Sequence, residues 1–372
     1  MIRVLHVLHG LGQGGIQTFI MNVYRHINKE KVQFDFLVNV CQEGYTKEII
    51  SLGGRIYNIP SRREGIFKRK KALRAFFGKH PEYKIVHLHL SSLSDIMSLK
   101  AAKNANVPVR IIHSHNTSQG GFFLHRYIHY FNQMFIQEYA TDFYACSDLA
   151  AKWMYGHKQY ANKKFVIIKN AIDLSLFRFN SAIRTQLRRE FGLASNQLVV
   201  GNIGRFHLQK NHLFMLDIFV EILKIYPDAQ LILVGDGSLY SQIEMKIQSM
   251  NIAENVKLVG VRNDIPQLLS MFDALLMPSL YEGLPVTVIE AQATGLACIL
   301  SSTITDEVKI LNTLTFKSLA DSKISWCKAV VQAVRLGRVL HAEKLISNAG
   351  YDIESVSKIL EVKYLNQLKS FM

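Results

Sequence analysis

Short apolar runs, each followed by a segment long enough for a helix, alternate through this chain and limit its fold more than any other feature. In the first half the runs fall at 2–8, 34–40, 55–59, 85–90, 110–114 and 142–146. Segments such as 16–27 and 95–105 lie between them, with apolar residues at helical spacing. Runs this short, apolar on both faces, belong in a parallel sheet covered by helices on both sides. After 165–168 come a polar turn, Asn170-Ala171-Ile172-Asp173, and a charged helix over 182–191. A second series follows at 198–204, 230–234, 256–259, 274–277 and 297–301. The class is therefore α/β, with two Rossmann-like doubly wound domains, 1–169 and 170–352, and an amphipathic terminal helix over 353–372. A chain of 372 residues can bury two such cores. Ligands of doubly wound sheets bind beyond the carboxyl ends of the strands.

Composition narrows the class further. No stretch approaches the roughly 18 apolar residues of a membrane span. The first eight residues carry Arg3 and His6 and read as a strand, not a signal peptide. Cys41, Cys146, Cys298 and Cys327 lie far apart, without zinc or redox spacing, and read as buried free thiols of a reducing, cytoplasmic compartment. The net charge of +15 is uneven: residues 1–180 hold 25 Lys and Arg against 11 Asp and Glu. Arg62, Arg63, Lys68, Arg69, Lys70, Lys71 and Arg74 form a dense run. Such a face suits anionic lipid, nucleic acid or an acidic substrate, or is simply solvated. An aromatic-rich segment over 120–144 reads either as a buried helix or as a surface docking on a membrane or lipid-linked acceptor.

Three motifs carry chemistry. His9-Gly10-Leu11-Gly12-Gln13-Gly14-Gly15 follows the first strand and satisfies a dinucleotide-binding glycine pattern, but strand two lacks an acid at its end. Its only acid, Asp35, sits near the beginning. What remains is an anion site at a helix N-terminus. Gly204-Arg205-Phe206-His207-Leu208-Gln209-Lys210 places two cations in the loop after the second domain's first strand, where they can close around a diphosphate. The run from Met277 to Ala291 includes Tyr281-Glu282-Gly283-Leu284-Pro285-Val286-Thr287 and Glu290, follows a buried strand and opens a helix. Two glutamates framing a helix N-terminus suit a ligand with hydroxyls at both ends and a diphosphate between them.

Glu282 and Glu290 with seven residues between them, Gly204-Arg205 with Lys210, Gly235-Asp236-Gly237, His113-Ser114-His115-Asn116 and Asn170–Asp173 occur together and in order. In this the chain resembles the retaining glycosyltransferases of family 4, above all bacterial enzymes that build capsular or exopolysaccharide repeat units. The resemblance implies a GT-B architecture, two domains facing across a cleft, with the C-terminal helix over about 353–372 returning to the first. The first domain would be the acceptor side and 170–352 the donor side. Glu290 would bind the ribose hydroxyls. Arg205 and Lys210 would hold the diphosphate, helped by the amides of Val286 and Thr287 and by the turn at Gly14 and Gly15. Glu282, beside Gly283 and Leu284, would touch the donor sugar, His115 would sit near the reacting carbon, and the segment at Arg262 would border the base. Asn170–Asp173 would help form the hinge. The glycine-bearing loop common after the last core strand is replaced by Thr303-Ile304-Thr305-Asp306-Glu307-Val308.

The expectation is thus a hexosyltransferase taking a nucleotide diphosphate-sugar, with uridine diphosphate as the family-level expectation, and a saccharide or lipid-linked acceptor. It would use no metal or cofactor, because fixed cations occupy a metal's place on the leaving diphosphate. It would be cytoplasmic, with peripheral contact to an anionic membrane through the basic domain. A nucleic-acid-binding protein, a nicotinamide enzyme and a non-catalytic nucleotide-sugar binder are the other readings. No binding module accompanies the basic charge, so nucleic acid is not an expected partner.

Overall fold

The computed structural model describes residues 1–372 apart from Gln13, 41–43, 117–122, Lys163 and 370–372, together with the side chains of Phe123 and 157–159. Cys41 and the start of the aromatic segment therefore lie outside the described residues. The chain divides into two units, Met1–Ala171 with Ile353–Met372, and Ile172–Asp352.

The first unit runs β1 (Ile2–Gly10), α1 (Gly15–His26), β2 (Val32–Val40), α2 (Thr46–Ser51), β3 (Ile56–Asn58), α3 (Ile66–Lys79), β4 (Ile85–Leu90), α4 (Met97–Asn104), β5 (Val109–Ser114), α5 (Phe123–Tyr139), β6 (Asp142–Ala145), α6 (Asp148–Ala161) and β7 (Val166–Ile167). All seven strands are parallel, in the order β3-β2-β1-β4-β5-β6-β7. Val4, Phe34, Phe36, Ile85, Val109 and Ile111 face one layer with α1. Leu5, Val7, Val86, Leu88 and Ile112 face the other with α3, α4, α5 and α6. This two-sided burial is why the strands read as continuous apolar runs.

The second unit runs α7 (Ser181–Glu190), β8 (Val199–Ile203), α8 (His212–Leu223), β9 (Gln230–Val234), α9 (Tyr240–Ser249), β10 (Val256–Leu258), α10 (Ile265–Met271), β11 (Ala274–Met277), α11 (Val286–Ala293), β12 (Ala297–Ser301), β13 (Leu314–Lys317), α12 (Lys323–Leu336) and α13 (Ala342–Asn348). The terminal helix α14 (Ile353–Lys369) packs in the first unit against α1, burying Ile353, Leu360 and Tyr364. The second sheet is also all parallel, ordered β10-β9-β8-β11-β12-β13. Strand order reverses between β1 and β4 in one unit and between β8 and β11 in the other. Each unit thus has its own topological switch point, where the carboxyl-end loops diverge and leave a crevice.

Two readings are revised. β13 is an additional edge strand; its Thr315, Phe316 and Lys317 are only partly buried, so it lacks the apolar run of an inner strand. Helix α5 is not sunk in the core on all sides. His129, Asn132 and Ile136 are buried, whereas Leu124, Tyr127, Tyr130, Phe131, Met134 and Phe135 are exposed.

Candidate functional site

In the second unit, the loops after β8 and β11 flank the switch point and are joined to each other. The Leu280 amide donates to the Gln209 carbonyl at 2.8 Å, and Asn211 Nδ2 donates to the Pro278 carbonyl at 3.1 Å. Asn211 adopts the left-handed conformation (φ 55°) between the turn at Leu208–Lys210 and α8, which an Asn tolerates well. Close packing explains two of the motif glycines. A Cβ at Gly235 would fall 2.2 Å from the Gly204 carbonyl oxygen, and one at Gly237 would fall 2.4 Å from that of Phe206. The Gly235-Asp236-Gly237 turn thereby supports the loop that carries Arg205 and Lys210.

Lys210 and Glu282, assigned by the sequence to diphosphate and sugar, meet directly. Lys210 Nζ donates to Glu282 Oε1 at 2.7 Å, and Gln209 Nε2 reaches Oε2 at 3.2 Å. Both charges are well buried, with side-chain exposures of 16% and 8%. Removing water from a pair raises its mutual attraction and leaves either partner costly to strand. Arg205 is exposed on the same loop. Gln209 stands inside the Gly204–Lys210 motif, where an uncharged amide next to two cations gave no signal of a role.

Helix α11 starts directly after Pro285, with no side-chain cap and no acid in its first turn. The amides of Val286 and Thr287 lie in that first turn, where the helix supplies no carbonyl partner. Gly283 is partly buried and Leu284 is buried in the core, which anchors the loop. Glu290, one turn further along α11, is partly buried, and burial pushes its carboxyl up to about 7. Arg262 forms a two-pronged ion pair with Asp264, at 2.8 and 2.6 Å, which raises the guanidinium's affinity for its proton. The loop after β12 also reaches this crevice. Ser301 Oγ and Thr303 Oγ1 both donate to the Ser279 carbonyl, and Thr305 caps the turn at Asp306–Val308.

In the first unit, Gly14 is the N-cap of α1 in an extended conformation, and Gly15 is exposed with no atom within 4 Å of a Cβ built on it. The α1 N-terminus is thus open, while Gln17 Nε2 ties it to the Gly10 carbonyl at 2.9 Å. His113 and His115 part company: His113 is wholly buried within β5, and His115, partly buried, follows the carboxyl end of that strand. His115 Nε2 lies 2.8 Å from His89 Nδ1. Burial holds the His115 imidazole neutral, with its pKa lowered to about 3. A cleft of about 210 Å³ opens at the β1–β4 switch point, lined among others by His9, Gln17, Asn39, Arg69, His89 and Asp95.

Two further expectations are settled locally. Asp35 is fully buried, bound by Arg3 at 2.5 and 2.6 Å, by the Tyr83 hydroxyl at 2.7 Å and by the Arg55 amide at 2.7 Å. All of its lone pairs serve the fold, so it is no ribose-binding acid of a nicotinamide site. Of the basic run, Arg69 is buried against Pro60, Asn39 and Asp95, and Arg62 is bound to the Ser94 carbonyl. Arg63, Lys68, Lys70, Lys71 and Arg74 are exposed, beside an exposed Ile66 and a Phe67 that is 88% exposed.

Comparisons with known proteins identify the family and the fold. The model for glycosyl transferases group 1 matches residues 183–313, and that for glycosyltransferase family 4 matches residues 13–176. The Bacillus subtilis protein EpsF, named as a glycosyltransferase, is 36% identical over 97% of this chain and 96% of its own. An Escherichia coli UDP-Gal:alpha-D-GlcNAc-diphosphoundecaprenol alpha-1,3-galactosyltransferase is 29% identical over 81% of this chain and 79% of its own. Among solved structures, Anabaena HepE in complex with UDP-glucose superposes with a TM-score of 0.79 at 15% identity, over 98% of this chain and all of HepE, and so shares its fold. With two parallel-sheet units of GT-B type and a relative this similar along its whole length, the chain belongs to glycosyltransferase family 4 and is a glycosyltransferase.

Proposed function

We propose that this chain transfers a hexose, with retention of configuration, from a uridine diphosphate-sugar to a lipid-linked saccharide in extracellular or capsular polysaccharide synthesis. The observation that carries the reading is the second unit's switch point. There Lys210 and Glu282 form an ion pair between the loops after β8 and β11, Glu282 precedes the uncapped start of α11, and Arg205 is exposed on the Lys210 loop. The UDP-glucose bound to HepE and the UDP-galactose and diphosphoundecaprenol in the Escherichia coli relative's name support the donor and acceptor classes.

Breaking a glycosyl–phosphate bond places negative charge on the leaving diphosphate. Arg205, Lys210 and the amides of Val286 and Thr287 are preorganised to take that charge, the part a metal ion plays elsewhere, so the reaction is read as metal-independent. The ribose hydroxyls go to Glu290, the sugar hydroxyls to Glu282 with Gly283 and Leu284 alongside, and the base to the segment at Arg262. Within the first unit, Gly14 and Gly15 leave the α1 amides open to an anion, and His115 is the group read as attending a sugar. A front-face route fits best, in which the leaving phosphate accepts the proton of the incoming hydroxyl. Double displacement would need a carboxylate below the reacting carbon, and Glu282 is already committed to Lys210 and sugar hydroxyls.

The acceptor belongs to the first unit, whose cleft sets His89, Arg69 and Asp95 beside apolar Val7, Ile16 and Leu88, a mixed lining that suits the hydroxyls and ring faces of a saccharide. Phe67 and the exposed cations of α3, with the exposed aromatic face of α5, would rest on the anionic inner face of the cell membrane, where lipid-linked intermediates reside. Thermal melting in the presence of ligands tests the donor assignment. Uridine diphosphate at 100 times its Kd is expected to stabilise the protein by about 2.7 kcal/mol, whereas NAD and DNA leave the melting temperature unchanged. Stabilisation by NAD alone would overturn the reading.

A further inference from the structure

Five histidines line one layer of the first unit's sheet: His6 on β1, His87 and His89 on β4, His113 on β5 and His115 just beyond it. Register places His6 beside His87 and His89 beside His113. Their ring nitrogens fall into two separate hydrogen-bonded files. In one, Tyr364 OH meets His87 Nδ1 at 2.7 Å, and His87 Nε2 meets His113 Nδ1 at 3.2 Å. In the other, His6 Nδ1 meets His89 Nε2 at 2.9 Å, and His89 Nδ1 meets His115 Nε2 at 2.8 Å. The nitrogens with no partner within the files are His113 Nε2 at the end of the first and His6 Nε2 and His115 Nδ1 at the two ends of the second.

Two neutral imidazoles can share a hydrogen bond only if one of the facing nitrogens carries the hydrogen, so every ring in a file must adopt the same tautomer. In the Tyr364 file burial keeps the phenol protonated, and its hydrogen-bond partner among the described residues is His87 Nδ1, so the phenol's hydrogen is satisfied by donating to that nitrogen. His87 and His113 are then Nε2–H tautomers. In the His115 file the Asn170 end favours the opposite tautomer. At one end, Asn170 stands beside His115, and its buried Oδ1 has no other partner, so it is matched by a hydrogen on His115 Nδ1. At the other end, His6 Nε2 has no hydrogen-bond partner among the described residues, so the direction of the file is set from the Asn170 end. The facing nitrogens are also at hydrogen-bond spacing, shorter than the about 3.3 Å between two nitrogens that share one zinc ion.

We propose that His89 and His6 are positioning residues that hold His115, through this file, as a neutral Nδ1–H tautomer and so fix the orientation of its ring, with Nδ1–H turned to Asn170 and Nε2 to His89. The consequence for turnover rests on the reading that His115 attends the donor sugar. Long-range proton–nitrogen NMR of protein labelled with 15N-histidine reads each ring directly. The expected spectrum at pH 7 shows His6, His89 and His115 as Nδ1–H and His87 and His113 as Nε2–H, unchanged down to pH 5. An Nε2–H or protonated ring anywhere in the His115 file would overturn the proposal. His89→Phe keeps the ring but cannot donate; His115 should then lose its single tautomer, and kcat should fall roughly tenfold, the worth of one oriented hydrogen bond, with the donor KM little changed. His89→Gln, whose amide can donate, should recover part of that loss. Full turnover in a folded His89→Phe variant would refute the positioning role. A wild-type protein with the expected ring pattern but no sugar transfer would instead refute the proposed function, and if His89→Phe does not fold, the wild-type spectrum alone decides.

Discussion

At the residue scale, the proposed donor site depends on charges whose solvation the fold has altered. Glu290 is the clearest case, because burial raises its carboxyl to about 7. A carboxylate accepts hydrogen bonds from two ribose hydroxyls, whereas the protonated acid cannot serve both as well. Nucleotide binding should therefore favour ionised Glu290, release a proton below about pH 7, and tighten as pH rises from 6 to 8. For stability alone the sign is opposite. An acid whose folded pKa is raised contributes stability below its unfolded value, and that contribution fades as pH climbs toward about 7. Calorimetric titration of uridine diphosphate in buffers of different ionisation enthalpy checks the first statement. Glu290→Gln should lose the proton release assigned to residue 290, leaving only that of the nucleotide's own phosphate; equal release by both proteins would contradict it.

At the element scale, α11 matters because it carries both its open N-terminus and Glu290, and its other end is fixed by one side chain. Arg338 donates to the Thr294 carbonyl at 2.8 Å and to those of Leu269 and Phe272 at 2.7 and 2.6 Å, thereby joining the C-terminal ends of α10 and α11. Burial among these carbonyls pulls its pKa down to about 9. Arg338→Ala would orphan several buried carbonyls at once and should cost about 3 kcal/mol in a denaturant melt; a change below about 1 kcal/mol would show that water replaces the guanidinium.

The same scale shows what the amino-acid pattern could reveal. Inner strands such as Ile85–Leu90, Gln230–Val234 and Ala274–Met277 were legible to the residue, because a parallel strand buried on both faces is rich in apolar residues and lacks exposed charge. β13 was not, since an edge strand with Thr315 and Lys317 reads like a loop. His87-Leu88-His89 and His113-Ser114-His115 carried a signal that went unused: residues two apart in a strand share a face. The Lys210–Glu282 ion pair had no such signal, because side chains 72 positions apart meet only through the switch point.

At the scale of the whole molecule, the two units divide the labour by charge. The exposed cations on α3 and the aromatic face of α5 lie in the first unit, on the side of the sheet where α4 packs between these two helices. Among the described residues no helix is long and apolar enough to cross a membrane. Each cation near an anionic bilayer contributes on the order of 1 kcal/mol and is screened by salt. The protein should float with phosphatidylserine-containing vesicles at low salt, and the combined change of Phe67, Lys70 and Lys71 to Ser should abolish most of that binding. Equal flotation with neutral vesicles would contradict the electrostatic part.

The central claim is that cations of the second unit stabilise a departing nucleoside diphosphate. Its most direct test is turnover with a panel of nucleotide-sugars and a lipid-linked saccharide acceptor, following released nucleotide and extended acceptor by mass spectrometry, with wild type and Lys210→Ala in parallel. Wild type should release uridine diphosphate from one sugar donor and extend the acceptor, while Lys210→Ala, folded by thermal melt, should be slower by roughly a hundredfold or more. Near-normal turnover by Lys210→Ala would contradict the account, as would transfer from no nucleotide-sugar at all.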